Sequence, residues 1–276
     1  MYRYSTSSTQ TAFRSHTPIT NAQIAHHAPS VLASEAHASR GDRYAFIPTI
    51  EVIDGLRKEG FHPFEVRQTK CRDLAKREHT KHLVRLRHES LPLTTGGGEV
   101  PELVLLNSHD GSSSYQLIAG FFRMVCSNGL IAGDVTNDIR IRHSGRVIDD
   151  VIEGSYQVLE NINELGHRID DYKAIELKPD EQRVFADAAL QLRWADQAPV
   201  TANSVLEPRR WDDTGRDLWS VFNRVQENLV QGGVRGRAQT GRRLTTRGVG
   251  GVTENVKLNR SLWTLADGLA QVKQAA

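Results

Sequence analysis

The residues best suited to chemistry in this chain are five arginines that fall within thirteen residues. In the stretch GGVRGRAQTGRRLTTRG they are Arg235, Arg237, Arg242, Arg243 and Arg247, with no acidic residue among them. Guanidinium groups bind phosphate oxygens through paired hydrogen bonds and stay charged at physiological pH. Because glycines separate the arginines, we expect a mobile Arg/Gly loop at 234–250 that follows a phosphate backbone and becomes ordered on contact.

The arginine run has two other interpretations. Residues 148–187 contain eleven acidic and four basic residues, a local net charge of −7, so the loop could pair with this acidic segment. The loop could also be solvated and have no specific role. We favour contact with nucleic acid over both.

A second basic surface is expected on a predicted sheet. The segments 64–69 and 81–89 alternate apolar and polar residues, which predicts two half-buried strands. If these strands pair, Arg67, Arg85 and Arg87 project from the polar face, and Lys81 lies at the connecting turn. Such a face could support a single nucleic-acid strand, although an ordinary solvated strand face fits the pattern equally well.

Histidines could form a metal site, but their spacing is a weak signal. His79 and His82 are three residues apart, and His88, His109 and Asp110 could join them across neighbouring strands. Eleven scattered histidines produce such a pair by chance, and no HExxH motif occurs. We therefore predict no catalytic residues, no metal ligands and no cofactor.

The sequence predicts that an α+β fold positions these residues. A flexible polar tail is expected at 1–20, followed at 21–143 by an α+β core with a small antiparallel sheet. A helical region that carries the basic loop follows at 145–276. The chain therefore consists of a sheet-containing part with helices and a helical C-terminal half.

Two local elements can be tested directly. Thr49 can cap a helix that continues to Gly60, because the apolar residues between them share one face. The segment 115–127 is ambiguous, since its apolar residues fit a helix face while its aromatic and β-branched content allows a strand. For its centre we favour a helix.

Charge is segregated along the chain. The net charge of +2 arises from 35 basic and 33 acidic residues among 276. Residues 57–88 contain ten basic and four acidic residues, and residues 209–260 contain eleven and five, so each region has a net charge of +6. Two such basic regions beside the acidic one indicate separate surfaces with different partners.

The same composition limits the compartment and the class of protein. No apolar run exceeds four residues, so we expect no membrane-spanning segment. Cys71 and Cys126 form no CxxC pair, and this sparse cysteine usage is typical of a reducing compartment. We therefore expect a cytoplasmic protein without a membrane partner.

Several stretches of the chain resemble one known family. They are HTPITNAQIAHHAPSVLASEAHASRGDRYAFIPTIEVIDGLRKEGFHPFEVRQTKCRD, HTKHLVRLRH, NSHDGSSSYQLIAGFFRMVCSNGLIAGD, DLWSVFNRVQENLVQGG, GRRLTTR and LNRSLWTLA. On these stretches the chain resembles the domain of unknown function 932 family of bacterial plasmid, phage and prophage proteins, and the resemblance covers about residues 15–272. The resemblance implies a bacterial cytoplasmic protein of a mobile element. The order of elements is also similar to that in single-strand annealing proteins of the Rad and Red-beta superfamily, an analogy at the level of element order alone.

These observations favour a binding protein over an enzyme. The first hypothesis is a single-stranded DNA-binding protein that acts as a homo-oligomer and could also anneal strands. One alternative is an anti-defence or anti-restriction protein that binds a host defence enzyme. The other is a metal-dependent nuclease or hydrolase that uses His79, His82, His109 and Asp110.

Overall fold

The computed structural model describes most of the chain, namely residues 12–41, 44, 46–71, 73–91, 99–123, 128–131, 139–141, 146–210 and 213–275. The chain forms two compact units. The N-terminal unit comprises 1–92, 102–118 and 139–157, and the C-terminal unit comprises 93–101, 119–138 and 158–276. The two basic surfaces predicted from the sequence therefore belong to different units.

Seven strands of the described part of the chain form one sheet. They are β1 (Ala12–Arg14), β2 (Phe61–Gln68), β3 (His82–His88), β4 (Glu99–Asn107), β5 (Tyr115–Arg123), β6 (Asn128–Ile131) and β7 (Ile139–Ile141). Strands β1 to β6 are neighbours in numerical order, and β7 pairs with β5. Every pair whose register is described is antiparallel. The predicted pairing of the strands at 64–69 and 81–89 is confirmed.

Among its described residues, the N-terminal unit also contains three short helices and the start of a long one. The short helices are α1 (Asn21–His27), α2 (Thr49–Lys58) and α3 (Leu74–Arg77), and a 3₁₀ helix spans Pro29–Leu32. Helix α2 buries Val52, Ile53 and Leu56 and packs against β2. Helix α4 (Val147–Ala174) begins in this unit and ends in the C-terminal unit.

Helices dominate the C-terminal unit. Besides the end of α4, they are α5 (Pro179–Trp194), α6 (Ala202–Leu206), α7 (Leu218–Gln231) and α8 (Val252–Ala275). Trp219 and Phe222 stack with ring centroids 5.5 Å apart, and Trp263 packs between Phe222 and Tyr172. A two-stranded hairpin, β8 (Arg235–Arg237) and β9 (Arg243–Thr245), connects α7 to α8. The predicted α+β class with a helical C-terminal half is confirmed.

The prediction of a flexible tail at 1–20 is wrong for residues 12–20. Residues 12–14 form β1, which pairs with β2 so that Phe13 lies opposite Val66. The amide of Ile19 donates to the Pro63 carbonyl at 2.7 Å, and the Ile19 side chain is buried. These backbone hydrogen bonds and the buried isoleucine anchor the segment. Residues 1–11 lie outside the described part of the chain.

The helix favoured at the centre of 115–127 is also wrong, because residues 115–123 form strand β5. Tyr115, Leu117, Ile118 and Phe121 are all buried, although successive strand residues point to opposite faces. A strand covered on both faces has a continuous apolar run, and such a run satisfies a helical pattern as well as a strand pattern. Residues 124–127 lie outside the described part.

The helix predicted after Thr49 is confirmed, but Thr49 does not cap it. Pro48 occupies the N-cap position, and Thr49 is the first helical residue, completely buried. Its hydroxyl group takes part in a buried polar cluster, described below. No helix in the described part of the chain is both long enough and apolar enough to cross a membrane.

Candidate nucleic-acid interface

The arginine-rich segment is a closed β-hairpin, whereas the sequence predicted a mobile loop. Arg235 pairs with Thr245, Gly236 with Leu244, and Arg237 with Arg243. Below these pairs, the amide of Gly233 donates to the Thr246 carbonyl and the amide of Thr246 to the Val234 carbonyl, both at 2.8 Å. At the tip, Gly241 adopts a φ of 77°, a left-handed conformation that favours glycine. The hydrogen-bond ladder therefore holds the arginines in a defined register.

Three arginines share the exposed face of this hairpin. Residues directly opposite in an antiparallel pair point to the same side, and alternate residues along a strand do so too. Arg235, Arg237 and Arg243 therefore project together with Thr245, and all four side chains are exposed. Together with Gly236 and Leu244 these residues line an open depression of about 550 Å³. We call this surface the arginine face.

The opposite side of the hairpin rests on the segment that precedes α6. The amide of Arg237 donates to the Pro199 carbonyl at 2.8 Å. A Cβ atom on Gly236 would lie 2.0 Å from the Pro199 carbonyl oxygen and 2.7 Å from a Val200 methyl group. Only glycine permits this close approach, so Gly236 fixes which side of the hairpin faces solvent.

Substituting Gly236→Ala should loosen the hairpin. We expect a loss of about 1–3 kcal/mol in the free energy of unfolding, because the added methyl group forces the backbone at Pro199 away. Hydrogen exchange of the Arg237 amide should become faster. Gly250→Ala is the control, since a Cβ at Gly250 meets nothing within 4 Å. Equal exchange rates at Arg237 in both variants would contradict the packing described.

The arginine face has strong uncompensated positive charge. Arg237 and Arg243 lie directly opposite each other, and like charges at such positions destabilise a strand pair. Among the described residues no carboxylate forms an ion pair with Arg235, Arg237, Arg242, Arg243 or Arg247. The alternative that this segment pairs with acidic residues 148–187 therefore has no contact in its favour. An external anion would relieve the repulsion.

The two remaining arginines of the run flank the arginine face. Arg242 is exposed in the turn between the strands. Arg247 follows β9; its side chain is exposed, and its backbone carbonyl accepts a hydrogen bond from Arg193 Nη2. Both can add contacts along a strand that crosses the arginine face.

Arg209 extends the basic surface, and the sequence reasoning missed it. Its Nε atom donates to Asn228 Oδ1 at 2.6 Å, and a second nitrogen donates to the carbonyl of Gly232 at the hairpin base. Arg209 and Arg235 line a second depression, which also has a volume of about 550 Å³ and adjoins the arginine face at Arg235. The only signal in the sequence was the excess of basic residues across 209–260.

The predicted basic face of the sheet is buried and neutralised, so the expectation of a solvent-facing floor is wrong. Arg85 and Arg87 are only 2% and 8% exposed. Arg85 Nη1 donates to Glu102 Oε2 at 3.0 Å, and Arg87 Nε donates to Glu102 Oε1 at 2.9 Å. The Arg87 guanidinium also lies over the Phe64 ring at 4.3 Å. These arginines hold the sheet together and are not available to a ligand.

A second buried carboxylate, that of Glu65, neutralises arginines on β1, β2 and β3. Glu65 lies opposite Arg14 on β1 and opposite Arg85 on β3. Arg14 Nε donates to Glu65 Oε2 at 2.8 Å, and Arg67, which is half-buried, donates to Oε1. Glu65 and Glu102 were not identified from the sequence as the partners of these arginines, although Glu65 and Arg67 are two residues apart and therefore share one face of β2. Lys81, also half-buried, lies just before β3, where its carbonyl accepts the Thr69 amide at 2.8 Å.

The charges around Glu65 predict a pH dependence of stability. Burial alone would raise its pKa, but the guanidinium groups of Arg67, Arg14 and Arg85 outweigh burial and lower its pKa from 4.5 to about 2. A lowered carboxyl pKa stabilises the folded state above pH 4.5, and this stabilisation is lost as the pH falls from about 4.5 to 2. Urea unfolding should show a loss on the order of 3 kcal/mol across this range. In the variant Glu65→Gln the part of this loss that comes from Glu65 should be absent. If the variant lost the same free energy of unfolding over this pH range as the parent protein, the assignment to Glu65 would be contradicted.

Two of the histidines contact a buried hydroxyl group. Thr49 Oγ1 lies 2.9 Å from His82 Nε2 and 3.1 Å from His109 Nε2, and Asn107 Nδ2 donates to it at 3.0 Å. These four side chains are completely buried. Because all four side chains are inaccessible to solvent, we interpret the cluster as a structural link between α2 and the sheet.

Of the four proposed metal ligands, only the side chains of His82 and His109 come together. His79 contacts His37 rather than His82, and Asp110 Oδ1 accepts the amide of Ser112 at 2.9 Å within its own turn. Within the described ranges, no group of three or more His, Cys, Asp or Glu residues could hold a metal ion. Cys71 is a free thiol, and Cys126 lies outside the described part.

Most of the chain is similar to proteins of one family. The family model described as Domain of unknown function (DUF932) matches residues 36–263. Two proteins of Escherichia coli (strain K12), the UPF0380 proteins YafZ and YfjQ, are each 46% identical over 253 residues, which is 91% of this chain and 92% of each relative. No solved structure matches the chain. The arginine face lies within the matched region, and the resemblance identified from the sequence is confirmed.

Proposed function

The chain belongs to the DUF932 family, and because the family description states no activity, we propose from the geometry of the hairpin that this protein binds single-stranded DNA in the cytoplasm. The single observation that carries the proposal is the arginine face. Three exposed arginines stand in fixed register, two of them directly opposite each other, with no carboxylate paired to them among the described residues. Such a surface attracts a polyanion.

The dimensions of the arginine face fit the phosphate backbone of one nucleic-acid strand. Alternate residues along a strand are about 7 Å apart, and neighbouring strands are about 5 Å apart. Three guanidinium groups on this small patch can contact a few consecutive phosphates. Because their hydrogen bonds reach phosphate oxygens and not base edges, the arginine face itself binds without sequence preference. A duplex of the same length is the comparison that tests strand preference.

The remaining expectations have less support. Neither homo-oligomer formation nor strand annealing is tested by the contacts described, and both stay predictions. The same holds for binding of a host defence enzyme. For a metal-dependent nuclease, the described residues provide no ligand set.

Binding can be measured with a fluorescent 20-nucleotide single strand over a series of salt concentrations. We expect binding at protein concentrations below about 10 μM in low salt, with the logarithm of affinity falling by about 2 per tenfold rise in salt for three neutralised phosphates. Absence of binding below about 10 μM, or binding that salt does not weaken, would contradict the proposal. If the protein bound the duplex more tightly than the single strand, double-stranded DNA would be the ligand.

A further inference from the structure

A half-buried tryptophan lies next to the hairpin and outside the hydrophobic core. Trp194 is the last residue of α5, and its side chain is partly exposed. Trp219 and Trp263, in contrast, are 3% and 0% exposed and pack in the core of the C-terminal unit. The hairpin segment 233–248 contains no aromatic residue. An aromatic ring that stacks on a base near the arginine face must therefore come from a neighbouring element.

An arginine joins this tryptophan to the hairpin. The Arg193 guanidinium carbon lies 4.3 Å from the centre of the Trp194 ring, which places the charged plane over one face of the indole. Arg193 Nη2 also donates to the backbone carbonyl of Arg247 at the hairpin base. Arg193 Nη1 is buried and has no hydrogen-bond partner among the described residues. Arg193 therefore fixes the orientation of the indole relative to the hairpin.

The backbone after Trp194 is strained and leads back to the hairpin. Ala195 has a φ of 49° and a ψ of −134°, and it is the only non-glycine residue with a positive φ in the described part of the chain. Such conformations are rare for alanine and persist where the surrounding structure requires them. Four residues later, the Pro199 carbonyl accepts the Arg237 amide at 2.8 Å. Trp194 is thus tied to the hairpin on both of its sides in sequence.

We propose that Trp194, backed by Arg193, is a stacking platform for one unpaired base of the strand whose phosphates contact the arginine face. Aromatic rings and guanidinium planes are the groups on which splayed bases stack in single-strand complexes. In a duplex each base already stacks on its neighbours and is unavailable. The platform therefore gives the site a preference for single strands over duplexes. This inference rests on the proposed function and adds the base-binding element that the arginine face lacks.

The test compares an oligothymidylate 15-mer with an abasic 15-mer, which has the same phosphates and no bases. Trp194→Leu should weaken binding of the oligothymidylate by about 5- to 150-fold, the measured range for one base–aromatic stack. Its affinity for the abasic 15-mer should stay within about twofold of the parent protein, because the phosphate contacts persist. Trp194→Phe, which keeps an aromatic ring, should restore most of the affinity for oligothymidylate and serves as the control for folding.

Two outcomes would overturn the platform while leaving the proposed function intact. In the first, Trp194→Leu binds oligothymidylate as tightly as the parent protein. In the second, it loses the same factor on both oligomers, which would mean that Trp194 only supports the hairpin. Failure of the parent protein to bind the abasic 15-mer would instead overturn the phosphate-binding function, and the platform with it.

Discussion

Replacing the three residues of the arginine face, in the variant Arg235→Gln, Arg237→Gln and Arg243→Gln, should weaken binding of single-stranded DNA about 100-fold at 0.1 M salt. Each phosphate contact on a single strand increases the affinity by about 0.7 log unit when the salt is diluted tenfold. Three contacts therefore contribute about two log units of affinity at 0.1 M salt, taking 1 M salt as the reference at which they contribute nothing. Folding should be unaffected, because all three side chains are exposed and the substitution removes the repulsion between Arg237 and Arg243.

A control with the same change in net charge separates the arginine face from general electrostatics. Lys58, Lys70 and Lys76 are exposed residues of the N-terminal unit, and substituting all three by Gln also removes three positive charges. We expect this control variant to bind within about threefold of the parent protein, since none of the three lysines belongs to the arginine face and salt weakens the attraction of exposed charges that make no direct contact with the ligand. Equal weakening in both triple variants would show that net charge, and not the hairpin, determines the affinity.

The largest expected effect on stability comes from Glu102→Gln. This substitution removes the carboxylate that binds Arg85 and Arg87, both almost completely buried. Two guanidinium groups then stay in a poorly solvated environment without that partner, and breaking a buried ion pair on one side costs about 3–5 kcal/mol. Urea unfolding monitored by circular dichroism would measure the loss in the free energy of unfolding.

An exposed glutamate is the matched control for Glu102. The Glu89 side chain is 71% exposed and lies 3.7 Å from His62. Its substitution by Gln should cost less than about 1 kcal/mol, because exposed ion pairs contribute little. If Glu102→Gln were as mild as Glu89→Gln, the buried network would not hold the sheet together as described.

Strand periodicity made much of the fold predictable. The alternation in 64–69 and 81–89 identified two strands correctly, because one face of each carries apolar side chains and the other carries charged ones. It could not show that the charged face is also covered, since a buried ion pair and a solvated one have the same sequence pattern. For the same reason β5, apolar on both faces, was mistaken for a helix. Burial on the second face depends on distant segments, which local periodicity does not encode.

The candidate site was predictable in its composition but not in its geometry. Clustering alone identified the arginines at 235–247. Their common face depends on the register that places Arg237 opposite Arg243, and on the contact between Gly236 and Pro199, which is 37 residues away in sequence. Trp194 gave no sequence signal, because a single tryptophan at the end of a helix is usually a core residue. Its partial exposure, and its link to the hairpin through Arg193, appear only in the folded chain.

The central claim, that the hairpin arginines neutralise phosphates, is tested most directly by the salt dependence of binding. The affinity of the parent protein and of the triple hairpin variant for one single-stranded oligonucleotide would be measured between 0.05 and about 0.3 M salt. The slope of log affinity against log salt should be smaller in magnitude by about 2 in the variant, because each arginine removed takes away one phosphate contact and each contact contributes about 0.7 to the slope. Parallel lines, with the same slope for both proteins, would show that these arginines do not contact phosphates.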